Sequence, residues 1–434
     1  MNAMLYTLGV VVFAVGVLVS IALHEVGHMY PAKRFGVKVT QYFVGFGRTV
    51  WSTRRGETEY GIKAFPLGGF VKLVGMLPPE PGGDPTRVRK SNTGLFTQLV
   101  ADARTAEYEN VRPDEQDRLF YRKPWWQKLV VMTGGPLVNL VIALFLFAVV
   151  FMGIGAPMAS TTIATVSDCA ISDAEAVAGR TCTADDPVTP AKRAGLQPGD
   201  TISSFNGQQV TGWPQLTQMI RANGDREATI GLQRDGVAVT ETVNTSVLAR
   251  VSLSDPDRTE RVGFLGVTPT VGYVRQGPGF VLSTMGSYTK ATGVAIIDLP
   301  QRMVAVTKAA FGGVREQDGP MSVVGASRVA GEMVTADETT WTDRVYRILS
   351  LVAAVNLFVA LFNFIPLLPL DGGHIVGALW EGLRRGWARV AGRPDPGYVD
   401  VGKMLPVAYA VGALLLVMGV LLIYADIVNP VRFS

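Results

Sequence analysis

The sequence predicts a polytopic α-helical membrane protein: four transmembrane helices, a membrane-associated β-sheet and an extracytoplasmic α+β domain. Three observations predict it. Four stretches of about 20 apolar residues are each long enough to cross a hydrocarbon core; they lie at Met4–Leu23, Leu129–Ile154, Ile348–Leu370 and Leu405–Ile427. Apolar residues make up 48% and charged residues 18% of the 434-residue chain. That is apolar for a soluble protein yet too charged for one buried wholly in lipid, so sizeable polar domains must separate the spans. The intervening segments carry the alternation and turn residues of strands. The net charge of +4 is small for the length, and no basic run marks a nucleic-acid partner.

The first span has no Lys or Arg ahead of it, which a cleavable signal peptide needs, so it reads as a membrane helix. Residues 38–76 alternate aromatic and β-branched residues with polar ones, and Arg54-Arg55-Gly56 supplies a turn. Gly68-Gly69 interrupts a strand there or lets backbone pass closely. Residues 78–94 are rich in Pro and Gly and read as a polar insert. Residues 113–128 lead into the second span, with Trp125 and Trp126 suited to the headgroup level.

Residues 158–272 form the α+β domain. A short helix ends at Gly195, a Pro-Gly-Asp turn and a strand follow, Asn206-Gly207 turns the chain, and a helix begins near Trp213. The two cysteines of the chain, Cys169 and Cys182, both fall in this domain, where an oxidising compartment permits a bridge. Residues 273–346 read as an extracytoplasmic helical segment. Residues 380–393, with Trp380 and Trp387, suit a short interfacial helix.

Orientation follows from Lys and Arg near the span ends. Lys33, Arg34 and Lys38 follow the first span, Arg118, Arg122, Lys123 and Lys128 precede the second, and Arg384, Arg385 and Arg389 follow the third. Residues 29–128 and 371–404 are therefore expected on the cytoplasmic side and 155–347 outside. Spans one and three then run in the same direction, and their C-terminal ends meet at similar depth.

Those ends carry the chemistry. On a helix, positions i and i+4 share a face, so His24 and His28 aim two imidazoles at one point beside Glu25. This is the HExxH arrangement of zinc hydrolases, two nitrogen ligands and a general base. It uses two of the three histidines of the chain, where ionisable groups are costly. Zinc needs a third protein ligand and one open position. Asp371 and His374, after the third span, are both in reach; an anionic oxygen, which offsets the metal's charge, favours Asp371. Pro366 and Pro369 break the helix nearby, and irregular backbone inside a membrane is tolerated only where it lines a site. Asn363, a lone amide among Phe362, Phe364 and Ile365, either caps the freed carbonyls or holds substrate backbone and the developing oxyanion.

His24-Glu25-Val26-Gly27-His28, with Asn363-Phe364-Ile365-Pro366 and Leu370-Asp371-Gly372, resembles the site-2 protease family of intramembrane zinc metalloproteases. Residues 43–47 (FVGFG) and 65–73 (FPLGGFVKL) resemble that family's membrane-associated β-hairpin, residues 120–143 its approach to the second span, and residues 319–325 (GPMSVVG) a stretch before the third. Ala194-Gly195-Leu196-Gln197-Pro198-Gly199-Asp200 with Phe205-Asn206-Gly207 resembles a PDZ domain. The resemblance is to the bacterial branch with an extracytoplasmic PDZ domain, the regulator-of-sigma-E protease type. It implies Zn2+ held by His24, His28 and Asp371, Glu25 as general base, Asn363 in contact with substrate, and a structural role for His374. It further implies an inner-membrane protease that cuts transmembrane segments of single-pass proteins: anti-sigma factors after a first outer cut, and remnant signal peptides. A catalytically silent PDZ scaffold is the competing expectation, and such a scaffold has no use for Glu25. Three features depart from the family pattern: one PDZ domain where some members carry two, Thr133-Gly134-Gly135-Pro136 in place of Ala-Gly-Pro, and a long insert at 78–111.

Overall fold

Residues 4–23 are apolar on nearly every face, Thr7 and Ser20 apart, the mark of a helix surrounded by lipid or protein. They belong to helix α1 (Asn2–Arg34). At about 1.5 Å per residue, it outruns a hydrocarbon core of about 30 Å, so the motif expected at a helix end instead lies inside one, ten residues before Arg34. The apolar run stops at Leu23, but the helix continues through Pro31 to Arg34, and Gly36, whose φ is +72°, ends it. The structure, a computed structural model, describes residues 2–78, 111–177, 179–255, 258–316, 319–336 and 340–431. The insert expected at 78–94 lies almost wholly outside them.

Among the described residues, four helices are long and apolar enough to cross a membrane: Ala3–Arg34, Trp125–Ile154, Trp341–Asn363 and Val401–Val428. The chain divides into two compact units, residues 1–153 with 277–434, and residues 154–276.

The first unit holds the four spans. Strands β1 (Val39–Arg55) and β2 (Thr58–Leu73) follow α1 and pair antiparallel, turning at Gly56 as the Arg-Arg-Gly signal predicts. Both strands fold back on themselves, so Gln41–Val44 has partners on both sides: Gly69–Lys72 and Glu59–Ile62. The Tyr42 hydroxyl donates to the Ala22 carbonyl at 2.8 Å and ties the sheet to α1. Helix α2 (Trp125–Ala148) continues through a wider turn at Val149–Ile154. It packs on α1 through bare glycine: a Cβ on Gly27 would collide with the Gly134 carbonyl, and one on Gly134 with the Gly27 carbonyl. Small residues that let backbones approach this closely are how membrane helices associate without a hydrophobic drive.

The third span differs from expectation at both ends. It starts seven residues early because Thr340 and Asp343 cap each other's backbone N–H groups. It stops seven residues early, at Asn363, because Pro366 and Pro369 disfavour helix in the residues before them. The segment expected as a short interfacial helix at 380–393 is the second half of a longer amphipathic one that begins at Asp371.

The second unit is built on a sheet with the path β10-β3-β4-β6-β7: Val267–Val274, Ala156–Val166, Thr201–Phe205, Glu227–Arg234 and Val237–Asn244. Ile163, Ile202, Phe205, Leu216, Ile230 and Leu232 fill its core. The expected turn chemistry is in place: Asn206 and Gly207 both take positive φ after Thr201–Phe205, and a helix runs from Trp213 to Asn223. Asp200 is buried and accepts two hydrogen bonds from Arg234, at 2.8 and 2.7 Å. Cys169 and Cys182 form a disulfide.

Candidate metal centre

The i, i+4 spacing on α1 does what the sequence predicts. The Nε2 atoms of His24 and His28 stand 3.2 Å apart. The third donor arrives from 343 residues further on. Helix α9 (Trp341–Asn363) ends, the chain reverses through residues 364–370, and helix α10 (Asp371–Val390) begins at the aspartate itself. Glycines make the reversal possible: a Cβ on Gly372 would collide with the Ile365 carbonyl, and one on Gly373 would lie 2.7 Å from the Leu368 nitrogen. The Asp371 carboxylate therefore sits in the first turn of a helix, where unpaired N–H groups favour negative charge.

Asp371 Oδ2 lies 3.4 Å from each imidazole Nε2. Among the described residues, His24, His28 and Asp371 are the group of His, Cys, Asp and Glu side chains whose donor atoms converge closely enough to hold a metal ion. The spacing fits one tetrahedral cation. Ligands about 2.0–2.1 Å from zinc stand about 3.3 Å from each other, against 3.2 and 3.4 Å here. Asp371 Oδ2 is buried without a hydrogen bond, a costly state for a carboxylate oxygen that has no cation to meet. On His28, Nδ1 donates to the Val131 carbonyl at 2.8 Å, which leaves Nε2 as the lone-pair donor toward the centre. His24 Nδ1 is also buried without a partner.

Glu25 shares this turn of α1 and is buried, 8% exposed. Strand β2 passes close to it only because residue 69 is glycine: a Cβ there would lie 2.9 Å from Glu25 Cγ. His374 is not a member of the converging group. Burial pulls its imidazole down to about 4, against the opposing pull of the Asp371 carboxylate, so it is neutral at neutral pH. Asn363 is the last residue of α9 and is partly buried.

The model of peptidase family M50 matches residues 12–391. The chain belongs to peptidase family M50. The zinc metalloprotease Rip1 of Mycobacterium tuberculosis is 35% identical over 99% of this chain and 99% of its own length. Rip1 of Mycolicibacterium smegmatis is 32% identical over 98% and 99%, and the metalloprotease MmpA of Caulobacter vibrioides 25% over 85% of each. Membership makes the chain a metalloprotease, and two imidazole nitrogens with one carboxylate oxygen are a donor set that suits zinc.

One part of this candidate centre lies outside the His24–His28 and Leu370–Gly372 segments. A Cβ on Gly135 of α2 would collide with His28 Nε2 and lie 2.7 Å from His24 Nε2. The bare face of Gly135 is the floor under both imidazoles. The sequence carries a faint signal for it, the Gly134-Gly135 pair inside a span together with Gly27, which is the small-residue pattern of close helix contact.

Proposed function

We propose that this M50 protease is an intramembrane zinc endopeptidase that cuts transmembrane segments of single-pass proteins, with His24, His28 and Asp371 as zinc ligands and Glu25 as general base. The observation that carries the reading is the convergence of Asp371 Oδ2 on both imidazoles, 3.4 Å from each. All of these residues belong to helices at, or directly following, candidate spans.

Bound zinc supplies Lewis-acid chemistry, polarising the peptide carbonyl and acidifying water. Glu25 takes the proton of the attacking water and delivers it to the leaving amine. Its burial keeps that proton from bulk solvent. Asn363 holds the substrate backbone through its amide as the helix unwinds. A transmembrane helix hides its carbonyls in its own hydrogen bonds, so it must be opened before attack. Extended substrate added beside β2 replaces those bonds, and the approach of Gly69 to Glu25 would lead such a strand past the base.

Residues 158–272 act as a PDZ domain outside the cell's inner membrane and filter substrates by size. Anti-sigma factors already clipped outside, and remnant signal peptides, are the substrate classes this arrangement fits. The positive-inside pattern supports this orientation, with cleavage near the cytoplasmic face.

The test is metal analysis of the purified protein alongside cleavage of a transmembrane reporter, wild type against Glu25→Gln. The variant keeps one zinc per chain and loses cleavage by about 100-fold or more, the usual range for a general base. Full activity in Glu25→Gln refutes the mechanism.

A further inference from the structure

The contact between α2 and α10 holds a second, remote cluster of charge. Lys128 Nζ donates to Glu381 Oε2 at 2.7 Å, with the two side chains only 8% and 2% exposed. Arg385 lies 3.4 Å from Glu381 Oε1, and the Val399 N–H reaches Oε2 at 3.3 Å. The Tyr398 ring covers the group, 5.0 Å from Lys128 Nζ and 5.1 Å from the Arg385 guanidinium.

A buried pair is a poor source of stability, because desolvation of both ions offsets their attraction; its best-attested use is to fix register. Register is what α10 most needs. The helix starts at Asp371 after an irregular loop, so its placement along α2 decides where the carboxylate lies. A slip of one residue moves a side chain about 1.5 Å along the axis and about 100° around it, whereas metal–ligand distances tolerate about 0.2 Å. The contact runs antiparallel: the Trp125 ring lies where a Cβ on Gly382 would be at 2.6 Å, Lys128 meets Glu381, and Met132 and Ile375 share one buried cluster. A slip at the Trp125–Gly382 contact is opposed by sterics; a slip at Lys128–Glu381 leaves a buried charge uncompensated, a larger penalty.

We propose that the Lys128–Glu381 pair is the pin that sets the register of α10 and so holds Asp371 on the metal. Both are positioning residues. Glu381 is ten residues into the helix, about 15 Å along it from Asp371, and acts only through α10. The proposal rests on the reading of Asp371 as a zinc ligand.

The test uses the full chain in detergent, stripped of metal. The zinc dissociation constant is measured by competition with a chromogenic chelator, together with thermal melting and with kcat and KM for a transmembrane reporter. The variants are Glu381→Gln, Lys128→Met, the double Lys128→Met with Glu381→Leu, the conservative Lys128→Arg, and Asp371→Ala. The singles weaken zinc by about 10-fold or more, the effect seen when support behind a ligand is lost, and lower kcat with KM unchanged; Lys128→Arg restores both. The double removes both ions of the pair, and Arg385, 24% exposed, keeps Asp395 at 3.5 Å, so the double melts close to the wild type yet still binds zinc weakly. It decides the matter if the singles do not fold. Wild-type zinc affinity in the double overturns the pin, as does unchanged affinity in the singles. Asp371→Ala separates the two readings. If it abolishes tight zinc binding while the pair variants do not weaken it, the pin alone fails. If it leaves zinc binding intact, the ligand assignment fails and the pin with it.

Discussion

Replacing Gly135 by alanine tests the metal centre without touching a donor atom. The added methyl would lie 2.7 Å from His24 Nε2 and nearer still to His28 Nε2, where ordinary contact begins at 3.4 Å. His24 must therefore retreat by about 0.7 Å and His28 by more, several times the ~0.2 Å that ligand distances tolerate. Alanine in a helix interior is favoured over glycine by about 1 kcal/mol, so propensity pulls the other way. The variant should fold with no loss of helix and bind zinc about 10- to 100-fold more weakly, the scale of a misdirected ligand. Cleavage should fall in parallel. Gly153→Ala, with no atom within 4 Å of the new methyl, is the control. Chelator competition on stripped protein reads the affinity, and melting reports the fold. Wild-type zinc affinity in Gly135→Ala would refute the reasoning, because the imidazoles could not then be placed as described.

Three further outcomes follow from the structure. His374→Ala keeps its zinc, because the imidazole lies outside the converging donors; loss of metal by direct zinc quantification would reverse that assignment. Acid should loosen the residue 154–276 unit through Asp200, whose carboxyl Arg234 holds below the usual range against the raising effect of burial. The contribution of a depressed carboxyl is complete above the unfolded value of about 3.9 and is lost as pH falls through the folded value, so melting monitored from pH 6 downward should drop below about pH 4, and less steeply in Asp200→Asn. Replacing Cys169 and Cys182 together by serine should cost that unit about 3 kcal/mol by the chain-entropy relation for a loop of 13 residues; a denaturant midpoint equal to wild type would count against it.

Much of this was legible in the sequence, for identifiable reasons. The four spans follow from apolar length, and the His24–His28 face follows from helix periodicity. The hairpin turn at Gly56 and the Asn206-Gly207 turn follow from residues that accept positive φ. The helix boundaries were less legible. Apolarity marks where lipid lies and not where hydrogen bonding stops, so α1 runs eleven residues past Leu23, and capping at Thr340 moves the third span. Least legible were long-range packing facts. That Gly135 floors the imidazoles, and that Lys128 finds Glu381 across 253 residues, depends on two helices meeting in one register, which no local pattern records.

The most direct test of the central claim is zinc-edge X-ray absorption on wild type and Asp371→Cys. The wild type should show nitrogen and oxygen ligands alone at about 2.0–2.1 Å, with imidazole scattering. The cysteine variant should add one sulfur at about 2.3 Å. A spectrum unchanged by that substitution would mean that residue 371 does not hold the metal, and would contradict the account.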